Sequence, residues 1–560
     1  MRCLTLSDFN VQPFADYVNQ DETDPRCEAV VGSFGQVTPA LVEISSIQPF
    51  HHYDALMIWT QPEAVIPGYE AVLRYEPVSE STVTSEVEAF AQQIIDAARN
   101  IPHVFVASWS QPAFRRGLGL WSMRPEGCSR MLLKMNLELC DRLSRQSNVY
   151  VLNSNDWLTA TGPGAYNRKL WYLAKMPFNP DVFERAAQDF KAALRAIAGL
   201  TKKLIVVDLD DTLWGGIVGE VGWENLRIGG HDGIGEAYAD FQKALKSLVR
   251  NGTVLAIASK NDETVALEAI DKHPEMILRR SDFAAWRINW SDKAQSIIDI
   301  AAELNLDPST IVYIDDSAPE RSRIRSALPS VTVPEWPQEI FFYASFLMHL
   351  PYFDKVAITS EDRQRTSMYI ADLQRTDTKR SFQALEDWLQ SLQMEVSVEE
   401  LSAANLPRAT QLFNKTNQMN LTTRRLAETD LWQWSTAVGN HLYVFRVSDK
   451  FGDYGLTGIL GLATNGDQLK ITDYLLSCRV MGRGLEELML AVAVDHALAL
   501  GAAEIKAEYI PTAKNAPCLT FFRERSHFRA NGDYSFVWGA KDPYVSPLHI
   551  AVTKSYAKTT

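Results

Sequence analysis

Short, unbroken apolar runs recur through the first part of the chain, at Ala55–Trp59, His103–Ala107, Val149–Leu152, Leu204–Val207, residues 254–258 and Ile311–Ile314. Runs of this length with no polar alternation read as strands buried on both faces, as in parallel sheets covered by helices. Helical patterns lie between them, over residues 85–98, 129–144 and 237–249. Behind a polar cap and a proline at Asn179-Pro180, Phe183, Ala187, Phe190, Leu194 and Ile197 repeat at helical spacing, and Gly199 ends the pattern. This strand–helix alternation predicts a doubly wound α/β domain over residues 1–198 and a second, Rossmannoid α/β domain over 199–340.

The rhythm changes after Pro334-Glu335-Trp336-Pro337. Two charged helical stretches, from Ser360 to about Arg375 and from Ser381 to Leu392, fill a connector over 341–395 and are expected to present wet faces. Residues 442–447, 455–462 and 469–476 then read as consecutive antiparallel strands, turning at 449–452 and at Asn465-Gly466. Arg479-x-x-Gly482-x-Gly484, an apolar helix at Leu485–Leu500, a strand over 503–510 and a Phe-rich helix over 516–523 follow. That order predicts an α+β domain over 396–560, so the fold class is multidomain α/β.

The densest chemistry follows the run at Leu204–Val207, where Asp208, Asp210 and Asp211 fall within four residues and precede Thr212 and Gly215-Gly216. Carboxylates crowded at the end of a buried strand are costly unless a cation neutralises them, and ligands bind at the carboxyl ends of strands in open α/β sheets. One aspartate can then attack phosphorus while the other handles the leaving-group proton. A lone Asp-x-Asp is weak, but three more signals follow in order. Ser259 ends the second strand, Lys293 opens a helical pattern, and Asp315-Asp316 ends the third strand.

Strand–acid, strand–Ser, Lys, strand–acid resembles the haloacid dehalogenase (HAD) phosphotransferase superfamily. The resemblance implies Asp208 as nucleophile, Asp210 as acid and base, Ser259 and Lys293 on the phosphoryl oxygens, and Mg²⁺ held by Asp208, Asp210, Asp315 and Asp316. The interval from Thr212 to Ser259 holds a Gly-rich flap and one helix, which leaves no room for a cap domain. Trp214 and Trp223 are candidates for lining the mouth, though aromatic core packing explains them equally well. The strings at 208–216, Ser259-Lys260-Asn261-Asp262, Ile288-Asn289-Trp290 and 415–425 further resemble the FkbH-like branch. It differs from that branch's usual pattern at Asp211, Ser317 and Ala318. The branch implies transfer of a glyceryl group from 1,3-bisphosphoglycerate, a phosphorylated three-carbon metabolite, to an acyl carrier protein in polyketide-type biosynthesis.

The Arg479-x-x-Gly482-x-Gly484 loop resembles the pyrophosphate loop of GNAT acyltransferases, in which free amides at a helix N-terminus meet an anion and glycines allow close approach. It implies that Arg479, Gly482 and Gly484 hold the phosphates of a phosphopantetheine-bearing ligand, a carrier protein's or coenzyme A. Cys478, beside Arg479 in that loop, is the candidate thiol for a covalent acyl intermediate; the alternative is a small buried residue. Ser7, after the first strand, stands where an SGNH-type esterase holds its nucleophile. Asn155-Asp156-Trp157-Leu158-Thr159 lacks the His that would activate it, so a non-hydrolytic SGNH-like domain is expected.

Net charge −14 over 560 residues argues against nucleic acid and anionic membranes as partners. It also disfavours an acidic carrier protein unless a local basic patch exists, for which Arg424-Arg425 and Arg479/Arg483 are candidates. The six cysteines form no CxxC pair, and neither a signal-like nor a spanning apolar run is seen, so a reducing cytoplasm is expected. Two other readings stand beside glyceryl transfer. One is a HAD phosphatase fused to a GNAT acyltransferase acting on a phosphorylated sugar or metabolite, and the other is a non-catalytic docking protein.

Overall fold

The computed structural model describes residues 1–46, 52–111, 118–230, 232–358, 360–380, 382, 384–512, 514–539 and 542–555. The chain forms two compact units, Met1–Thr201 with Asp354–Val356, and Lys202–Phe353 with Ala357–Thr560.

In the first unit, β1 (Arg2–Ser7), β2 (Glu28–Val31), β3 (Ala55–Trp59), β4 (His103–Ala107) and β5 (Val149–Leu152) form a parallel sheet in the order β2-β1-β3-β4-β5. Alternate residues feed two cores. Leu4, Leu6, Leu56, Ile58, Val104 and Val106 pack under helices Glu80–Ala98 and Cys128–Leu143. Cys3, Met57, Trp59 and Phe105 pack under Gln12–Gln20 and Pro180–Ile197. Both faces are therefore dry, which is why these strands read as continuous apolar runs.

The second unit carries two sheets. The first has β6 (Leu204–Val207), β7 (Val254–Ser259), β8 (Ala285–Ile288) and β9 (Ile311–Ile314), all parallel, in the order β8-β7-β6-β9. Central β6 is buried throughout, with Ile205 and Val207 in one core and Leu204 and Val206 in the other. Among the described residues between Thr212 and β7 stand the short helical turns Val218–Val221 and Trp223–Asn225 and helix Gly233–Arg250, whose first amides, Ile234 and Gly235, donate to the Asp232 carboxylate. No cap domain occurs among the described residues of that interval.

The last sheet comprises β10 (Met394–Glu400), β11 (Met419–Asn420), β12 (Asn440–Asp449), β13 (Gly452–Asn465), β14 (Gln468–Leu476), β15 (Glu504–Glu508), β16 (Arg529–Ala530), β17 (Ser535–Gly539) and β18 (Ile550–Ser555). Its order is β16-β17-β15-β14-β13-β12-β10-β18, with β11 set against β14. Pairs β14–β15 and β10–β18 are parallel among otherwise antiparallel neighbours. Helix Leu485–Leu500 packs its apolar side chains into this core. A parallel pair joined by a helix within an antiparallel sheet is a GNAT-like arrangement.

The connector departs from expectation. Helix Arg365–Arg380 forms, but Arg375 is 2% exposed, with Nε and Nη2 each 2.7 Å from an Asp449 carboxylate oxygen. Its guanidinium also lies 4.0 Å from the Tyr454 ring centroid. This arginine faces a buried acid on a distant hairpin rather than water. The second stretch is helical over Leu385–Ser391, with Trp388 and Leu389 in the core; Ser381 and Gln383 lie outside the described residues. Among the described residues, no helix is long and apolar enough to cross a membrane.

Candidate active site

The site is built at the carboxyl ends of β6, β7 and β9. Asp208 follows β6 and Asp315 follows β9. Parallel pairing of the strands, with Val207 opposite Ile314, brings the two acids side by side. Lys293 opens helix Lys293–Glu303, which the Asp292 side chain caps by accepting from Ala294 N. That places the ammonium between the two carboxylates, 2.9 Å from Asp208 and 2.7 Å from Asp315. All three side chains are almost wholly buried.

Asp208, Asp315 and Asp316 each present an oxygen within 4.8 Å of the others'. Asp208 Oδ1 is buried without a hydrogen-bond partner. Such an orphaned anionic oxygen beside two more carboxylates suits a hard divalent cation, which takes oxygen ligands. Burial pushes Asp208 up to about 6, while Lys293 and the Ser259 hydroxyl draw it back. Burial also works against the Lys293 charge, but the two carboxylates outweigh it and hold the ammonium above its ordinary range. Ser259, at the end of β7, is buried beside Asp208.

Asp210 does not join this group, which corrects its expected place among the metal carboxylates. Asp211 adopts a left-handed backbone (φ 53°), turning the chain sharply after Asp210. The Asp210 carboxylate is then held by its own loop. Oδ1 accepts from Trp214 Nε1 at 2.8 Å and Val218 N at 3.1 Å, and Oδ2 accepts from Asn261 Nδ2 at 2.8 Å. Burial raises its pKa, which favours the protonated acid, against these donors. Trp214 is fully buried, so it orients Asp210 instead of lining a mouth; Trp223 packs partly buried against the core. Gly215 is required, because a Cβ there would lie 2.7 Å from Tyr238 Cε2.

Several positioning groups were not singled out in the sequence. Thr212 Oγ1 donates to Asp316 Oδ1 at 2.8 Å and accepts from Asp316 N at 3.0 Å. Arg321 Nη1 donates to the carbonyls of Asp315 and Asp316. The Tyr313 hydroxyl bonds to Asp315 Oδ2. Asn261 and Thr212 lay inside quoted motifs, and that adjacency was the available signal. Tyr313 looked only like a strand residue.

The second predicted centre lies elsewhere. Cys478 is exposed and opens the short turn Cys478–Val480 in the loop that leads to helix Leu485–Leu500, seven residues before its first residue, so the buried alternative does not hold. Its charge neighbours are Lys203, Arg479 and Tyr369. Lys203 precedes β6 and Asp208 follows it. At about 3.3 Å per residue, these two strand ends stand roughly 16 Å apart. The charge neighbour Lys203 thus precedes β6, while the carboxylates follow it and β9.

The anion loop is already engaged. Gly482 N donates to Glu486 Oε1 at 2.6 Å, and the Arg483 carbonyl bonds to His549 Nε2 at 2.8 Å. Arg479 Nη1 lies 2.9 Å from Met368 Sδ, and Arg483 is turned toward Tyr454 and Asp372. Arg424 grips buried Asp473, with Nε 2.9 Å from Oδ1, and Arg425 donates to the Phe413 and Thr416 carbonyls. Arg479 and Arg483 are thus turned inward and Arg424 is half-buried on Asp473, while Arg425 stays exposed. In the first unit, Ser7 Oγ accepts from Phe9 N at 3.1 Å, a local turn.

No protein-family model matches the chain, and no curated protein matches it. Among solved structures, the N-terminal part of a Bacteroides fragilis protein, containing a phosphatase domain and complexed with Mg, aligns over 64% of this chain and 94% of its own. Identity is 24% and the TM-score 0.57, a likeness of fold that accords with the HAD-like sheet. A ribosomal-protein-S18-alanine N-acetyltransferase from Escherichia coli matches over 25% of this chain and 90% of its own, at 12% identity and TM-score 0.19. N-acetylglutamate synthase from Neisseria gonorrhoeae, complexed with coenzyme A and L-arginine, matches over 63% and 99%, at 12% identity and TM-score 0.19. At those scores neither carries an argument. Among the described residues the chain is a multidomain α/β protein with two wholly parallel sheets and a third, mixed one.

Proposed function

We propose that this chain is a bifunctional glyceryltransferase/phosphatase. It takes a glyceryl group from 1,3-bisphosphoglycerate to an acyl carrier protein thiol and removes the remaining phosphate. The division into an SGNH-like domain (1–198), a HAD-like domain (199–340), a connector (341–395) and a GNAT-like domain (396–560) is part of the same reading. The observation that carries it is Asp208, with one oxygen on Lys293 and the other buried and unpartnered beside Asp315 and Asp316.

In the phosphatase half, the Asp208 carboxylate attacks phosphorus and the phosphorus–oxygen ester bond breaks. Asp210, protonated and held by Trp214 and Asn261, gives its proton to the departing alkoxide. Asp210 then takes a proton from water as that water attacks the aspartyl phosphate, which regenerates Asp208 and releases phosphate. Lys293 and Ser259 face the phosphoryl oxygens. Mg²⁺, held by Asp208, Asp315 and Asp316, would neutralise charge on those oxygens. With no cap domain in the Thr212–β7 interval, the site stands open to a substrate tethered to a macromolecule.

In the transfer half, a thiolate attacks the acyl-phosphate carbon, the carbon–oxygen bond to phosphate breaks, and inorganic phosphate leaves with a thioester formed. Exposed Cys478 is the protein's candidate thiol, and a carrier's phosphopantetheine is the acceptor. The phosphatase–acyltransferase reading needs an open anion loop, which Glu486 and His549 disfavour. The docking reading would leave the Asp208–Lys293–Asp315 arrangement without use.

The test is intact-protein mass spectrometry after incubation with Mg²⁺ and enzymatically generated 1,3-bisphosphoglycerate, with phosphate release measured in parallel. A phosphoglyceryl- or glyceryl-sized adduct on the wild type, absent from Cys478→Ala, is expected. Asp208→Asn should abolish phosphate release from the monoester and leave the phosphorylated adduct. Phosphate release from other phosphoesters with no adduct would overturn the transfer half. Undiminished release by Asp208→Asn would overturn the phosphatase half.

A further inference from the structure

The C-terminal sheet contains the two elements that a nucleotide-linked thioester would use. Strands β14 and β15 pair only where Gln468–Ile471 meets Glu504–Ala507. Beyond Ile471 they part, and one edge of β14 turns toward the gap. A linear arm bearing amides could add to such an edge as a strand does. The loop after β14 leads into helix Leu485–Leu500, whose free amides and dipole suit phosphates. One ligand with an amide arm and a pyrophosphate would span both.

The chain fills both places itself. In the gap, Met419 and Asn420 of β11 pair antiparallel with Leu476 and Leu475. The next residue, Leu421, donates its amide to the Tyr474 carbonyl at 3.1 Å and accepts from Ile510 N at 2.9 Å. The segment therefore bridges the parting strands. Asn515, fully buried, fixes it from one side, since Nδ2 lies 2.9 Å from the Asn420 carbonyl and from the Ile510 carbonyl. The edge that an arm would need is satisfied by backbone.

At the loop, the anion is supplied internally. Glu486 stands in the first turn of the helix, 2% exposed, with its carboxylate on Gly482 N. Gly484 has φ +87°, and the space beside it is taken, since a Cβ there would meet His549 Cε1 at 2.9 Å and Pro547 Cβ at 3.3 Å. His549 is anchored by its bond to the Arg483 carbonyl and by β18, which follows at Ile550 and pairs with β10. A pyrophosphate reaching the Gly482 amide would have to displace the buried Glu486 carboxylate, while the imidazole crowds the space beside Gly484.

We infer that the GNAT-like domain is closed to coenzyme A, its strand gap occupied by residues 419–421 and its anion loop by Glu486 and His549. The inference does not depend on the phosphatase reading, because it concerns only this sheet.

The experiment uses the full-length chain labelled with ¹⁵N-glycine, titrated with coenzyme A and separately with inorganic pyrophosphate. Calorimetry is run on the same samples. The wild type should show no saturable heat with coenzyme A up to about 1 mM and no shift of the Gly482 or Gly484 amides. Saturable coenzyme A binding with movement of those amides overturns the inference. So does acetyl transfer from acetyl-coenzyme A. Glu486→Ala frees Gly482 N and should make both glycine amides respond to pyrophosphate. A folded Glu486→Ala chain with no response overturns the assignment of Glu486 as the resident anion. Should that variant fail to fold, amide hydrogen exchange of the wild type decides. Gly482 and Leu421 should exchange slowly, at a rate coenzyme A does not change, and added protection by coenzyme A overturns the inference.

Discussion

The Trp214 indole donates to the Asp210 carboxylate at 2.8 Å from four residues along the same loop. Asp210, the proposed acid and base, is thus oriented by a buried ring. Trp214→Phe keeps the packing and removes one donor. A net hydrogen bond of about 1–1.5 kcal/mol predicts a fall of roughly tenfold in kcat with KM little changed. Steady-state kinetics on a phosphomonoester would check this, and a change confined to KM would contradict it.

The carboxylate group predicts a stabilising response to metal. A cation that binds only the folded state stabilises it by about 2.7 kcal/mol at a hundredfold excess over its Kd. Mg²⁺ should therefore raise the unfolding temperature of the wild type, and chelation should stop phosphate release. Asp316→Ala removes one of the three acids and should shift the Mg²⁺ dependence to higher concentration in both assays.

Arg375 and Asp449 form a buried pair with side chains 3% and 0% exposed. Removing one partner of such a pair leaves an uncompensated charge, at a cost of about 3–5 kcal/mol. Arg375→Ala should lower the urea midpoint of the second unit by a corresponding amount. Replacing a solvated pair such as Lys243–Asp240 should change it by less than about 1 kcal/mol.

His496 supplies a pH dependence. Its Nδ1 meets the Tyr443 hydroxyl at 3.0 Å, and its ring lies 4.4 Å from that of His441. Burial, with the His441 charge behind it, lowers its pKa to about 4. The unfolded chain binds this proton as pH falls through about 6.5, while the folded chain resists until about 4. The stability contribution is therefore complete above pH 6.5 and is lost on the way down to 4. Between pH 7.5 and 5 the loss is about 2 kcal/mol. Urea unfolding at both values would measure it, and His496→Gln should flatten that part of the profile.

The parallel sheets were legible because burial on both faces leaves unbroken apolar runs, and their acidic ends were legible because charge is rare there. Side-chain direction was not. Asp210 lies two residues from Asp208, yet the left-handed turn at Asp211 sends its carboxylate to Trp214 and Asn261. Arg375 read as solvated because its partner is 74 residues away on a hairpin. The two-residue strand β11 and the closing strand β18 carry too little local pattern to be seen. Both exist only through pairing with strands distant in sequence, and they are the pieces that close the GNAT-like cleft.

Lys203, a charge neighbour of Cys478, and Asp208 bound one four-residue strand in the middle of a sheet, so rigid backbone separates that neighbour from the carboxylates. On the proposed function, an acyl group carried on Cys478 has to travel to be dephosphorylated at the carboxylates. The two reactions are then separate in time. In a single turnover, loss of the acyl phosphate should precede loss of the phosphomonoester by a lag. That lag should lengthen with solvent viscosity and with the stiffness of whatever arm makes the crossing.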